Sequence, residues 1–374
     1  MKCRLIKNEI QEVFSKIQGI CSRKTNLSIT STVKLTAAGD SICVEVTDLE
    51  TDFSGTYPAQ VEKEGSICLN AKKLYEIIRS FPHETVLINE IENRWVEIGE
   101  DIILYHIVGM NPEDFPEIGK SVEGSFISVD SGLLKKMFEK STSIQAVPDE
   151  KRIYAQGIFF ESLLDEEDNP FLRCVSTDVK RMVRCDIPCE KSFVFPEGTE
   201  SILIPKKGLT ELLKFLDSPI PVEIGMFQNR FVLKKESEIF SITLLEGKFP
   251  EYRGLFSYDS ENIIAFTKQD LLMSLRRMSI LSDNDLRSIL FSFEENKLTL
   301  TSSNPDLGES REDLFIAYEK TPFEVAFNPK FFMDALSIIE EEDVHIFIKN
   351  NQSPCIVKGD QNDDVLSVLM PIRI

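Results

Sequence analysis

The hydrophobic positions of this chain follow two patterns that recur along it in the same order. Short runs that alternate apolar and polar residues, such as 41–46 and 297–300, predict β-strands, because successive side chains point to opposite faces of a strand. Other segments repeat apolar residues every three or four positions, which predicts amphipathic helices. Strands that follow one another closely, with helices set between groups of them, predict an α+β fold with antiparallel sheets.

The predicted helices are of two types, and each type occurs three times. The first type covers 7–18, 130–142 and 267–278, and the second covers 68–81, 205–216 and 327–339. In the second type a lysine (Lys72, Lys207, Lys330) is followed four residues later by an acid. Repetition on this scale indicates a fold built from similar units. We therefore predict three domains, each with two helices and antiparallel sheets, at residues 1–121, 125–256 and 261–374.

The chain end, residues 368–374, is apolar apart from Arg373. Because chain ends are usually polar and frayed, this composition predicts a last strand docked into a sheet and stopped by the proline of residues 370–371. The same tail would also suit one wall of a groove for an apolar partner. By its order in the repeat, the pair 370–371 takes the place of the Phe-Pro pairs 115–116 and 249–250.

Composition narrows the class of protein. None of the apolar runs among the 374 residues approaches the length of a membrane span, so no membrane association is expected. The eight cysteines include no CxxC pair and there are three histidines, so neither a zinc site nor another cofactor is predicted. Unpaired thiols suit a reducing compartment, which predicts a cytoplasmic protein.

Charge is distributed unevenly between the helices and the rest of the chain. The net charge of −20 argues against nucleic-acid binding unless basic residues are gathered on one surface. Four predicted helices are net positive nevertheless, at 68–81, 130–142, 205–216 and 267–278. If apolar stripes face the sheets, the helical lysines point into solvent and form a basic face on an acidic protein. An ordinary solvated helix surface is the alternative.

Short motifs along the whole chain resemble the bacterial DNA polymerase III beta subunit family, the replicative sliding clamps. Individually weak, they occur in the family's order over three repeats, at 21–27, 47–50, 111–118, 152–157, 175–182, 247–253, 280–282, 303–305 and 370–374.

The resemblance implies a DNA polymerase processivity factor without a catalytic site. Two copies would join head to tail into a ring of six clamp domains, with helices lining the hole and double-stranded DNA encircled without sequence specificity. The replicative polymerase, the clamp loader and repair proteins would bind through short linear peptides. The protein would act in the cytoplasm, on the nucleoid.

The resemblance also implies roles for particular residues. DNA-facing candidates are Lys24, Arg79, Arg152, Tyr154, Lys206 and Lys207. The dimer interface would join Lys73, Ile77, Tyr105 and Ile107 of one copy to Ile280 and Leu281 of the other. A peptide groove between the second and third domains would include Ala155, Thr177, Val179, Lys180, Arg181, Met182, Pro250, Leu255, Val368, Met370, Pro371, Ile372, Arg373 and Ile374.

The chain departs from the family pattern in this groove. The family generally has Gly-His where this chain has Val179 and Lys180, a branched side chain and a fixed charge. That difference predicts a narrower groove or a shifted peptide preference. Ala155, at a position where a larger residue is common, would offset it.

Two other functions stay open at this point. One is an enzyme that uses carboxylates or a metal, with Asp48 and Asp178 as the candidates. Their equivalent places in separate repeats favour a turn role instead, in which each side chain bonds its own backbone. The other is a clamp-like scaffold that is not loaded onto DNA.

Overall fold

The computed structural model describes residues 1–22, 27–100, 102–119, 123–144, 149, 151–217, 219–258, 263–281 and 288–373. Within these ranges it has six α-helices, one at each predicted segment: α1 Lys7–Cys21, α2 Ala71–Ser80, α3 Ser131–Thr142, α4 Lys206–Leu212, α5 Lys268–Ser279 and α6 Pro329–Ser337. None of the helices in the described ranges is long and apolar enough to cross a bilayer.

The strands repeat in groups along the chain. The first third contains β1 Lys2–Ile6, β2 Thr32–Ala38, β3 Ser41–Thr47, β4 Thr51–Pro58, β5 Gln60–Lys63, β6 Gly65–Asn70, β7 Thr85–Glu90, β8 Trp95–Glu100 and β9 Ile103–Val108. The middle third contains β10 Phe126–Val129, β11 Gly157–Leu164, β12 Pro170–Thr177, β13 Arg181–Pro188, β14 Ser201–Pro205, β15 Val222–Phe227, β16 Arg230–Lys235 and β17 Glu238–Thr243. The last third contains β18 Ile263–Thr267, β19 Ile289–Glu294, β20 Lys297–Asn304, β21 Gly308–Phe315, β22 Phe323–Phe327, β23 Asp343–Phe347, β24 Cys355–Gly359 and β25 Val365–Leu369.

The chain divides into two compact units, and the middle third contributes to both. The first unit comprises Met1–Lys135 and Cys189–Leu245. It holds a five-stranded sheet in the order β5-β1-β7-β8-β9 and an eight-stranded sheet in the order β10-β15-β16-β17-β4-β3-β2-β6. In the larger sheet β17 pairs antiparallel with β4, with Ile242 opposite Thr51. One sheet thus joins strands from the first and middle thirds.

The second unit comprises Lys136–Pro188 and Glu246–Ile374 and repeats this arrangement. Its larger sheet contains β11-β12-β13-β25-β24-β23-β18 in that order, and its smaller sheet is β21-β20-β19-β22. Here β25 pairs antiparallel with β13, with Leu369 opposite Arg181. The predicted docked tail strand is confirmed, because β25 lies between β13 and β24.

Helix α2 shows why these sequences form helices on sheets. Asn70 caps it, accepting a hydrogen bond from the backbone N–H of Lys73 at 3.0 Å. Its apolar stripe, which includes Leu74 and Ile78, is fully buried, while Lys72 and Arg79 are exposed. The prediction that helical cations point into solvent is correct for this helix.

That prediction is wrong for Lys206, the first residue of α4, which is 5% exposed. The reason is helical spacing. Leu209 and Leu212, three and six residues further along, are fully buried, so Lys206 extends the same buried stripe. Lys207 lies on the next face and is exposed. Lys206 therefore has almost no surface to offer a DNA phosphate.

Candidate partner groove and open sheet edges

The turn between β12 and β13 is built by its own side chains. The Thr177 hydroxyl accepts a hydrogen bond from the Val179 N–H at 2.9 Å. Asp178 Oδ1 accepts bonds from the N–H groups of Lys180 and Arg181, each at 3.0 Å. Since the carboxylate of Asp178 bonds its own turn, the predicted structural role of this residue is confirmed.

Val179 occupies the left-handed region, with φ of 80°. A β-branched residue is strained there, because its Cβ substituents crowd the backbone, whereas glycine adopts this conformation freely. The geometry therefore suits glycine, the residue that the family resemblance leads us to expect at this place. The Val179 side chain is 42% exposed, so it projects from the turn.

Arg181 ties this turn to helix α6. It is 7% exposed, and its Nε donates to Asp178 Oδ2 at 2.9 Å. Its Nη1 donates to Asp334 Oδ2 on α6 at 2.6 Å. The guanidinium also lies 4.4 Å from the ring centre of Phe331. A planar cation held by two carboxylates and an aromatic face has one orientation, so it fixes the turn against α6.

The tail leaves one sheet and joins another. The Met370 N–H donates to the Lys180 carbonyl at 3.0 Å, and the Ile372 N–H donates to the Ala326 carbonyl of β22 at 2.8 Å. Between them stands Pro371, which has no N–H to donate. The segment therefore bridges the two sheets of the second unit, and the Met370 side chain is 43% exposed beside the turn.

The predicted correspondence of residues 370–371 with the Phe-Pro pairs is wrong. The Met370 bond to Lys180 has its counterpart in the first unit, where the Thr243 N–H donates to the Glu50 carbonyl at 2.7 Å. Met370 therefore corresponds to Thr243, since each is the first residue after the last ladder pair of its strand. Phe249 lies further along the chain and is buried, at 8% exposure. Order along the chain suggested the match, but the length of the intervening loops differs.

The predicted groove residues divide into a buried set, the floor of the candidate groove, and an exposed set, its rim. Met182 lies opposite both Thr177 and Val368 in the antiparallel ladders, so these three residues adjoin. The buried residues of the set are Ala155, Thr177, Arg181, Met182 and Val368; the half-buried ones are Leu255, Pro371 and Ile372; the exposed ones are Val179, Lys180, Pro250, Met370 and Arg373. Ile374 lies outside the described residues.

An aromatic cluster supports the segment that carries Pro250 and Leu255. Phe249 stacks on Phe159 with ring centres 4.8 Å apart, and Tyr154 meets the Phe249 ring edge-on at 6.0 Å. The Tyr252 hydroxyl donates to the buried Glu161 carboxylate. Burial, and then the adjacent Glu161, raise the pKa of Tyr252 to about 12, so the hydroxyl keeps its proton and this bond.

The DNA-facing candidates other than Lys206 have accessible surface where they are described. Arg79, Arg152 and Lys207 are exposed, and Tyr154 is half-buried. Lys207 Nζ lies 3.7 Å from a carboxylate oxygen of Glu50, which partly neutralises it. Lys24 lies outside the described residues.

Two of the six dimer candidates lie on an edge strand, and the other four lie in or directly after a helix. Tyr105 and Ile107 belong to β9, an edge strand, and Tyr105 is 39% exposed. Ile280 directly follows α5 and is 74% exposed, and Leu281 beside it is half-buried. Lys73 is exposed, whereas Ile77 is 7% exposed and offers little surface to another chain.

Sequence reasoning missed another edge strand, β21, as a candidate for contact with a second copy. It is the outer strand of its sheet, and the residues at its two ends, Leu307 and Phe315, are 65% and 95% exposed. Large apolar side chains beside an edge strand, which has one free side, suit pairing with another strand. The signal was available, because β21 follows the turn at 303–305 just as β4 and β13 follow the turns at 47–50 and 177–180.

Family profiles match all three thirds of the chain. The N-terminal, central and C-terminal domains of the DNA polymerase III beta subunit match residues 1–119, 128–251 and 253–373, respectively. The chain belongs to the DNA polymerase III beta subunit family. As a member, it is a sliding clamp and processivity factor, not an enzyme, with the predicted α+β fold of three clamp domains.

Individual relatives agree along their full lengths. The chain is 25% identical to the beta sliding clamp of Pseudomonas putida, covering 96% of each chain, and 24% identical to that of Vibrio cholerae, covering 100% of each. It superimposes on the DNA polymerase III beta subunit of Pseudomonas aeruginosa with a TM-score of 0.91 at 23% identity, over 100% of both chains. A clamp from Bartonella birtlesii bound to griselimycin gives 0.92 at 24% identity, again over 100% of both chains.

Proposed function

We propose that two copies of this chain close head to tail into a ring around double-stranded DNA, and that the groove beside the 177–181 turn holds linear peptides of the replicative polymerase, the clamp loader and repair proteins. The observation that carries the ring is a junction that occurs twice within the chain. In each unit the strand after a Thr-Asp turn pairs antiparallel with the last strand of the next repeat, as β4 with β17 and β13 with β25.

Under the same rule, two strands of the chain have no strand to form such a junction with inside the chain. By their order in the repeats, β21 corresponds to β4 and β13, and β9 corresponds to β17 and β25. Both β21 and β9 are edge strands. A third junction of the same kind would therefore pair β9 of one copy with β21 of a second copy.

The two internal junctions also predict the register of the third. In each, the first residue after the last ladder pair of β17 or β25 donates to the carbonyl of the residue that directly precedes the partner strand: Thr243 to Glu50 and Met370 to Lys180. Leu307 directly precedes β21, so the corresponding bond would run from the Val108 N–H to the Leu307 carbonyl of the second copy. Tyr105 would then lie opposite Ser310, where the corresponding internal pair is Phe240 with Phe53.

Different edges meet at this interface, so the contact is head to tail. Such contacts give a closed ring only when the rotation between copies closes, and otherwise give filaments. Membership in the clamp family supports closure with two copies. A ring holds DNA topologically, so a few exposed cations such as Arg79, Arg152 and Lys207 suffice on a chain of net charge −20, and the acidic remainder opposes side-on binding. The site of action would be the cytoplasm, on the nucleoid.

Support for the peptide role comes from the groove itself. Apolar residues that are buried or half-buried, such as Met182, Val368 and Leu255, lie among exposed ones that include Met370 and Pro250. Buried apolar anchors usually supply most of the affinity for short peptides. Lys180 and Arg373 add positive charge at the rim, which favours peptides that carry a carboxylate beside the apolar anchor.

Cysteine cross-linking tests the ring and its register. The pair Tyr105→Cys with Ser310→Cys should form an intermolecular disulfide and give a covalently closed dimer on a non-reducing gel. The pair Tyr105→Cys with Glu309→Cys is the matched control, because residue 309 points to the opposite face of β21. Efficient cross-linking of the control pair, or a monomeric mass for the unmodified protein, would overturn the interface.

Retention on DNA tests the topological part. The ring is first loaded onto a nicked circular plasmid and then cross-linked. It should stay bound in high salt and should leave when the plasmid is linearised. Loss from the circular plasmid in high salt would show ordinary surface binding and would favour the scaffold alternative.

A further inference from the structure

A cavity lies in the second unit beside the proposed groove. Its volume is about 390 Å³, and its walls include Leu255, Tyr258, Phe347, Lys349, Pro354 and Ile356. We call it the rim pocket. None of these residues except Leu255 belongs to the predicted groove, so the rim pocket extends the surface available to a partner.

Sheet register places the rim pocket next to the groove floor. Val368, in the floor, lies opposite Met182 on one side and Ile356 on the other. Phe347 lies opposite Ile356 on the next strand. Since neighbouring strands are about 4.8 Å apart and an extended chain advances about 3.3 Å per residue, a peptide leaving the groove reaches the rim pocket within two or three residues.

The base of the rim pocket is apolar and well supported, while Ser257 and Ser353 add polar groups to its walls. Phe347 and Ile356 are each 4% exposed and form a firm base. The Tyr258 ring packs on Phe347 with ring centres 4.1 Å apart. Its hydroxyl donates to Asp363 at 2.6 Å, which holds the ring in place. A site of this shape favours an apolar side chain.

One charged residue at the wall adds selectivity. Lys349 is exposed, and across the described ranges it has no acidic side chain within salt-bridge distance. A carboxylate on the ligand would supply that partner, with the modest affinity and larger selectivity expected of an exposed charge pair.

We propose that the rim pocket binds an apolar side chain adjacent to a carboxylate, in the part of a partner peptide that continues beyond the groove. The proposal rests on the peptide-binding function proposed above. It deepens that function, because partners with this extension would outcompete partners that carry the groove motif alone.

Gly254, at the mouth of the rim pocket, allows a clean test. A Cβ built at this residue meets no atom within 4 Å, so Gly254→Leu adds bulk at the mouth without a clash in the fold. The probes are three synthetic peptides: the clamp-binding segment of a bacterial replicative polymerase, and the same segment extended by Leu-Asp at either the amino or the carboxyl end. Affinity is measured by calorimetry with the full-length protein.

One of the two extended peptides should bind the unmodified protein about tenfold more tightly than the short one, the gain expected from burying one apolar side chain. Gly254→Leu should abolish this gain and leave the short peptide's affinity unchanged. Lys349→Glu should reduce the gain about threefold, whereas Lys330→Glu, a charge reversal outside the rim pocket, should leave it intact.

The failures are distinguishable. If neither extended peptide binds more tightly than the short one, or if Gly254→Leu preserves the gain, the rim pocket proposal is overturned while the groove stands. If the short peptide does not bind the unmodified protein at all, the groove fails and the rim pocket proposal falls with it.

Discussion

The turns at 47–51 and 177–181 share one backbone conformation, but the residues around them differ. In each, the threonine hydroxyl accepts an N–H two residues on, at 2.9 Å, and the aspartate accepts two further N–H groups. In each, the third residue is left-handed, with φ of 77° at Leu49 and 80° at Val179. The repeated sequence therefore determines the turn, and neighbouring groups decide its use.

The two turns differ in the charge that they present and in the charge of their neighbours. The first turn presents Glu50, which lies near Lys207, and Arg230 bonds Asp52 at 2.6 Å. The second turn presents Lys180 instead, and Arg181 joins it to α6 at 2.6 Å. The chain then follows the same path in both units, because the Leu245 N–H bonds the Leu203 carbonyl of β14 at 2.9 Å, as the Ile372 N–H bonds the Ala326 carbonyl of β22 at 2.8 Å. A cationic turn joined to α6 therefore distinguishes the second turn, beside which we propose the groove.

Removing the arginine of the second turn should give the largest effect. Arg181→Met would leave Asp178 and Asp334 without their cation, and breaking a buried pair costs about 3–5 kcal/mol. We expect a lower Tm, faster hydrogen exchange in α6 and loss of peptide binding. Arg230→Met should cost less, because the Arg230 side chain is 22% exposed against 7% for Arg181. Equal losses in calorimetry would contradict the contrast.

Replacing the turn aspartates should give intermediate effects. Asp178→Ala and Asp48→Ala each remove an acceptor for two backbone N–H groups, at a cost of about 1–2 kcal/mol. Both variants should therefore lower Tm by a few degrees. Only Asp178→Ala should also weaken peptide binding, by releasing the groove wall. Unchanged peptide affinity in that variant would show that the turn does not position the groove. A hydrolytic activity that disappears with it would revive the enzyme alternative.

Glycine at the two left-handed positions should change stability less than the variants above, and should raise it rather than lower it. Left-handed strain costs about 1–3 kcal/mol and the added chain entropy of glycine costs up to about 1 kcal/mol, so Val179→Gly and Leu49→Gly should each raise Tm slightly. Val179→Gly should also change peptide affinity, since it opens the groove, while Leu49→Gly should not. A fall in Tm for both would mean that the turns are unstrained.

Asp52 near the first junction and Asp363 near the second should make the stability of the protein depend on pH in opposite directions. Burial raises the pKa of Asp52, so its contribution to stability grows as the pH falls towards and below its unfolded value, and is lost as the pH rises through the folded value. Burial also acts on Asp363, but hydrogen bonds from Lys358 and Tyr258 outweigh it and lower the pKa. Asp363 therefore stabilises above its unfolded value and loses this contribution in acid.

This difference is the smallest expected effect and calls for matched variants. The Tm difference between the unmodified protein and Asp363→Asn should shrink between pH 6 and pH 3, whereas the difference for Asp52→Asn should shift in favour of the unmodified protein over the same range. Parallel behaviour of the two variants would contradict the assignment.

Much of the fold was predictable from local sequence. The six helices, the docked tail strand and the turn roles of Asp48 and Asp178 follow from spacing and turn chemistry, which act between residues close in the chain. Two predictions failed, each for its own reason. Lys206 was predicted to point into solvent because the apolar stripe of its helix was taken to begin at Leu209. Met370 was matched to Phe249 by order along the chain, and the match failed because loop lengths differ between repeats.

The sequence by itself determined the repeated units, their helices and strands, and the Thr-Asp turns, because periodicity and turn hydrogen bonds are local. Only the tertiary structure showed which strands have a free edge, that Arg181 reaches Asp334 on α6, and that the tail crosses to β22 after Pro371. These features join residues far apart in the chain. Pairing of that kind depends on how whole sheets and helices pack, which no local pattern encodes.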